Sequence, residues 1–187
     1  IFGKTVSGNH EITQNDRELL TGFIDNTIPE SYNSNKNMDL NTIDVLLITS
    51  GEYSSAMNPI LANYHARGLQ TKLETTENIA TQYQGTDLAE KIRSCVQYYH
   101  ESKNLRFVLL GGDTEIIPTR KLRAVAHSSQ TYTDDLPSDL YFSALDGNWD
   151  TNSNGIYGEP AEADLLPEIA VGRIPFSTLE ELNNFIG

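Results

Sequence analysis

The amino-acid sequence predicts an α/β protein, a three-layer sandwich in which a mostly parallel sheet is covered by helices on both faces. Three observations predict it. Val45-Leu-Leu-Ile-Thr49 and Phe107-Val-Leu-Leu110 are short, almost wholly apolar runs of the kind that fill strands buried on both faces. Segments with apolar residues at helical spacing lie between the strand-like runs, and this alternation implies crossover connections and parallel pairing. Residues that start and stop helices stand at the junctions: Asn58-Pro59, Gly68, and Asp87 with Glu90.

Residues 1–42 are rich in Asn, Ser, Thr and Asp, with the turn-forming string Ser31–Met38, and read as a loosely structured leader. One helical pattern, Asp16–Ile24, interrupts it. Residues 43–187 read as one α/β domain, beginning with the strand at Val45. Asn58 as cap and Pro59 in the first turn open a helix with Ile60, Leu61 and Tyr64 on one face, ending at Gly68. Leu69–Thr75 reads as a second strand of alternating character. A capping box of Asp87 and Glu90 then opens a longer helix, in which Leu88, Ile92, Cys95, Val96 and Tyr99 share a face. Phe107–Leu110 is the third strand, with Gly111-Gly112-Asp113 at its carboxyl end. Leu122-Arg-Ala-Val125 is a shorter strand and Ile169-Ala-Val171 the last, before a helix capped by Ser177 with Glu180. Ligands of such folds collect at the carboxyl ends of the strands, which directs attention to Asp113.

Composition narrows the function. Thirteen Lys and Arg against 26 Asp and Glu give a formal charge of −13, the wrong sign for a nucleic-acid or anionic-membrane surface. A cationic partner, metal or peptide, suits it, and acidity also keeps a protein soluble. The 187 residues contain no run long and apolar enough to span a membrane. The opening Ile1-Phe-Gly-Lys is neither a signal peptide nor a start, so the chain is expected to be a trimmed or processed piece.

The chemistry-bearing residues point away from catalysis. Cys95, the single cysteine, falls on the apolar face in mid-helix, as an inert core thiol does. His100 shares that helix but lies too far round to meet it. His65 is on another helix, His10 in the leader and His127 in a loop. There is no Gly-x-Ser-x-Gly elbow, and Gly111-Gly112 is followed by acids rather than a lysine, which suits a cation and not a phosphate. Asp150-x-Asn152-x-Asn154-Gly155 reproduces the first half of a calcium loop, with oxygen ligands on alternate residues and a glycine at the bend. The bidentate glutamate that closes such loops is replaced by Ala161, between Glu159 and Glu162. Asp164, the Leu166 carbonyl and Glu168 are spaced so that an extended segment presents alternate oxygens to one side. Asp and Asn also make turns, which is the competing account of these stretches.

Three segments carry a family resemblance: Phe107–Pro118 with its Leu-Leu-Gly-Gly-Asp core, Pro137–Gly147 ending Leu-Asp-Gly, and Asp164–Leu182 with Pro-Glu-Ile-Ala-Val-Gly-Arg. Together they resemble the gingipain family of cysteine peptidases over residues 43–187. The resemblance implies a caspase-like catalytic domain of two α/β subdomains, of which this chain is similar to the first. The catalytic histidine and cysteine of that family lie in the second subdomain, so no catalytic residue carries over. It also implies structural calcium held by Asp113, Asp146, Asp164, the Leu166 carbonyl and Glu168. Residues 148–163 are an insertion between Asp146 and Asp164 relative to that pattern, and its half calcium loop at Asp150, Asn152 and Asn154 is the candidate place for a second ion. Arg173 belongs to the motif, and a buried salt bridge accounts for it as well as a function does.

The expected protein is therefore the non-catalytic first subdomain of a secreted or cell-surface bacterial cysteine endopeptidase, stabilised by calcium. Its partners would be the second, catalytic subdomain and, in the complete enzyme, a peptide or protein substrate. The alternative is a calcium-binding, non-enzymatic binding or adhesion module on the same fold.

Overall fold

A computed structural model describes residues 42–187. The helical pattern at Asp16–Ile24, His10 and the leader as a whole lie outside the described residues. The chain runs through β1 (Val45–Thr49), α1 (Asn58–Ala66), β2 (Thr71–Thr75), α2 (Thr76–Gln82), α3 (Leu88–Lys103) and β3 (Phe107–Gly111). It continues through β4 (Arg120–His127), β5 (Thr131–Ser138), a 3-10 turn at Leu140–Phe142, β6 (Ala170–Ile174) and α4 (Leu179–Ile186).

Strands β2, β1, β3 and β6 form, in that order, a four-stranded parallel sheet. β1 is buried at all five positions because it is paired on both edges and covered on both faces. Successive side chains of a strand point to opposite faces, and the two faces build two cores. Leu46 and Ile48 of β1, with Val108 and Leu110 of β3, pack against Ile79 of α2 and Ile92, Cys95, Val96 and Tyr99 of α3. Leu47 and Leu109 point the other way, to Met57, Ile60, Leu61, Phe176 and Leu182 under α1 and α4. Helices thus cover both faces of a mostly parallel sheet, the three layers expected of the sequence. The first core extends outward through Phe142, Leu145 and Trp149, so the segment after β5 is packed onto α3.

Several elements differ from the reading of the sequence. α2 follows β2 without a loop: Thr75 ends the strand and its hydroxyl caps the helix by accepting from Asn78 N at 3.3 Å. One threonine doing both leaves no turn signal to read. β4 is eight residues long and pairs antiparallel with β5, from Arg120↔Ser138 to His127↔Thr131. β5 is exposed at seven of its eight positions, so it lacks the apolar alternation that marks a strand. β2 begins at Thr71 rather than Leu69. At α1, Met57 takes the capping position and makes no side-chain cap bond, and Asn58 is already helical. At α4 the cap is Thr178, accepting from Glu181 N at 3.2 Å, while Ser177 N donates to Glu181 Oε2 at 2.7 Å. Asp87 caps α3 as expected, accepting from Glu90 N at 2.9 Å, but the Glu90 carboxylate reaches back to Thr86 rather than to Asp87. No helix among the described residues is long and apolar enough to cross a membrane.

Candidate functional site

β3 delivers Gly111-Gly112-Asp113 to the carboxyl end of the sheet. Gly112 turns with φ +137°, and a Cβ there would come within 2.6 Å of Ile116, so the turn needs glycine. Asp113 is held in place from two sides. Its carboxylate accepts from the Ser177 hydroxyl and from Glu115 N at 3.0 Å. The bond from the Ser177 hydroxyl, against the opposing effect of desolvation, holds this carboxyl below its ordinary value. Arg173 on β6 donates to the carbonyls of Gly112, Asp113 and Ile117 at 2.8, 3.2 and 2.9 Å. Its other face makes a bidentate pair with Asp139 at 2.8 and 2.7 Å. Arg173 therefore ties β6, the turn after β3 and the segment after β5 together.

A second acidic locus lies further along the chain. Asp146, Asp164 and Glu168 each offer a carboxylate oxygen within 4.8 Å of the others. Like charges at that separation repel, and the consequence is visible at Asp146. Its carboxyl is pushed above the ordinary range first by direct contact with Asp164, which favours a shared proton, then by the charges of Glu168 and Asp164. With all three groups ionised, the buried Oδ2 of Asp164 has no donor. Asp164 Oδ1 accepts from Leu166 N at 3.2 Å, and Glu168 Oε2 accepts from Leu145 N. Gly147 packs on Asp164 so closely that a Cβ on it would lie 2.8 Å from Asp164 Cβ and 3.1 Å from Oδ2. The glycine of Leu-Asp-Gly is thus required by approach, not by backbone angle.

Of the five residues proposed from the sequence for one calcium site, the structure brings together the side chains of Asp146, Asp164 and Glu168. Leu166 sits in the turn closed on Asp164, its side chain exposed. Asp113 is not in the cluster, its carboxylate being taken up by Ser177 and main-chain N–H groups.

Helix α3 supports this locus through two residues that the sequence reading did not single out. Arg93 Nε donates to the Tyr141 carbonyl at 3.0 Å, and its Nη2 to those of Ala144 and Gly147 at 2.9 and 2.8 Å. Gln97 Nε2 donates to the Leu145 carbonyl at 2.7 Å. Positions four apart share a helix face, so their pairing was legible, but nothing in the sequence names the carbonyls they meet.

In the inserted loop the side-chain oxygens are engaged locally. Asp150 accepts from the N–H groups of Asn154 and Gly155 at 2.9 and 3.0 Å, and Asn152 Oδ1 from Asn154 N at 2.9 Å. Glu159 accepts from the side-chain amides of Asn152 and Asn154 at 3.0 and 2.8 Å. These bonds hold a tight turn with Ser153 and Gly155 at positive φ.

Cys95 is fully buried on α3, and burial pushes its thiol up to about 12, so it stays protonated at neutral pH. His100 Nδ1 lies 3.2 Å from the Leu105 carbonyl, and His127 Nδ1 lies 3.1 Å from Thr131 Oγ1 at the tip of the β4–β5 hairpin. His65 is an exposed residue of α1.

Comparison with known proteins decides the family. The model of peptidase family C25 matches residues 38–187. The chain belongs to this family, that of the gingipains. Among solved structures, the fold is similar to the complex of the pro- and mature domains of RgpB from Porphyromonas gingivalis. That similarity has 22% identity and a TM-score of 0.51, covering 76% of this chain and 27% of the other. The Arg-specific cysteine proteinase gingipain R matches with 22% identity and a TM-score of 0.51, over 80% of this chain and 28% of its own. A further protease structure matches at 21% identity and a TM-score of 0.54, over 77% and 26%. At this identity the likeness shows the fold, and this C25 chain spans about a quarter of the length of the solved proteins it matches. No curated protein matches it.

Proposed function

We propose that residues 43–187 are the non-catalytic first subdomain of a gingipain-like cysteine endopeptidase, exported from a bacterial cell and stabilised by calcium at Asp146, Asp164 and Glu168. The observation that carries the calcium reading is the orphaned Oδ2 of Asp164 among three carboxylates whose mutual repulsion a shared cation would relieve. The donor set fits a hard cation, being all oxygen and free of nitrogen and sulfur. The Leu166 carbonyl is the further ligand expected from its place between Asp164 and Glu168. Asp113 belongs instead with Ser177 and the Arg173 hub. Bound calcium would supply charge neutralisation and add stability to the folded form by mass action. The residues do the rest: Leu145 N orients Glu168, Leu166 N orients Asp164, and Gly147 leaves room for Asp164.

Peptide-bond hydrolysis belongs, on this reading, to a second subdomain carrying the histidine and cysteine. Nothing about the buried Cys95 suits it as a nucleophile. A thiol-dependent peptidase assay on the 187-residue chain is expected to be blank, and addition of the remainder of the polypeptide to restore activity. Activity of the chain alone that disappears in Cys95→Ala would overturn this assignment. A second ion in the Asp150–Asn154 turn is a separate proposal. Calorimetric stoichiometry separates them, one calcium per chain for the three carboxylates alone and two if the inserted turn also binds.

A further inference from the structure

We propose that Arg93, assisted by Gln97, is the positioning residue of the acidic site, bracketing Asp146 so that its carboxylate meets those of Asp164 and Glu168. The proposal rests on the calcium reading above and concerns how that site is assembled.

The argument turns on the two residues that flank Asp146. Leu145 gives its N–H to Glu168 and its carbonyl to Gln97. Gly147 gives its carbonyl to Arg93 while its Cα faces Asp164. Each neighbour of Asp146 is therefore held between α3 on one side and one of the other two carboxylates on the other. The segment has little regular structure of its own beyond the 3-10 turn at Leu140–Phe142, so these bonds from a 16-residue helix set where Asp146 stands. Arg93 is suited to the task because its planar fork reaches the carbonyls of Tyr141, Ala144 and Gly147 at once. Its guanidinium also packs over the Tyr141 ring, 5.1 Å from the centroid.

Charge alone leads to a different expectation. A partly buried guanidinium near three carboxylates relieves their repulsion and disfavours an added cation, so on charge alone its removal would tighten calcium binding. Its Nε and Nη2 go to carbonyls and not to the carboxylates, which is the arrangement of a support rather than of a counter-ion.

The test is calcium titration of the 187-residue chain by calorimetry, together with unfolding in chelator, for wild type, Arg93→Lys, Arg93→Met and Gln97→Ala. Positioning predicts that both Arg93 variants weaken calcium binding by about tenfold or more, the usual consequence of losing a residue that orients a ligand. Gln97→Ala should weaken it less, through the single carbonyl it releases. Arg93→Lys binding calcium as wild type does, or Arg93→Met binding it more tightly, would overturn the proposal. Should the Arg93 variants not fold, Gln97→Ala decides, unchanged affinity counting against the proposal and reduced affinity with unchanged stability in chelator supporting it. A wild-type chain that takes up no calcium sinks the metal reading itself, whereas binding that ignores Arg93 and Gln97 sinks only the bracket.

Discussion

In the parallel sheet, main chain pairs with main chain and the side chains are free to fill two apolar cores. In the segment from Asp139 to Glu168 the arrangement is reversed. Main-chain carbonyls there are held by side chains of α3, Arg93 and Gln97, and by Trp149 of the segment itself, while carboxylates from its two ends crowd together. The contrast shows how one domain combines two kinds of stability. The first is apolar and indifferent to ions. The second depends on a few long polar side chains and, on the reading proposed above, on a cation.

Substitutions in each region separate the two. The largest effect is expected in the sheet: Leu46→Ala removes a fully buried side chain and should cost about 3 kcal/mol in urea unfolding. The loss should be equal in calcium and in chelator, and a loss confined to one condition would break the division. Arg173→Met, at the junction of the two regions, leaves Asp139 unpaired and frees the carbonyls of Gly112, Asp113 and Ile117. About 2 kcal/mol is expected by the same measurement, since the pair is only partly buried. Gly147→Ala should cost about 1 kcal/mol, because Asp164 must move from the added methyl, and should blunt the response to calcium. An alanine that lowers stability while leaving the calcium response intact would separate Gly147 from the acidic site.

The smallest effect concerns pH. Asp87 is held below the ordinary carboxylate range first by its bond to Arg120, at 2.7 and 2.8 Å, against the opposing effect of burial. A depressed folded-state value stabilises the fold above the unfolded value, near 3.9, and that contribution disappears as pH falls towards the folded value. The Asp87 side chain is 47% exposed, so solvent screening limits the effect to about 0.5 kcal/mol. Asp87→Asn should flatten the acid limb of the stability curve by that amount, and an unchanged limb would show that the pair contributes nothing.

The apolar runs of β1 and β3 lie where the sequence predicts them: β1 is buried at every position and β3 at Val108, Leu110 and Gly111, and burial on two faces leaves that mark. β5 left no such mark, being exposed, and α2 had no start signal distinct from the end of β2. At the acidic site, the types and spacing of Asp164 and Glu168 were legible. Their meeting with Asp146 across the inserted residues was foreseen from family likeness and not from spacing. The roles of Arg93 and Gln97 were not legible at all, since a side chain that binds main-chain carbonyls selects for no residue type at its target. The family likeness groups Asp113 with these acids, and its place at a strand end agrees, but its carboxylate accepts from Ser177 instead.

The central claim is that the three carboxylates meet because a cation joins them. Thermal unfolding of the 187-residue chain in calcium and in chelator, with Asp164→Asn alongside, tests it most directly. The midpoint of the wild-type chain should rise with calcium in a saturable way, and that of Asp164→Asn should not. Identical wild-type midpoints in calcium and chelator would contradict the claim.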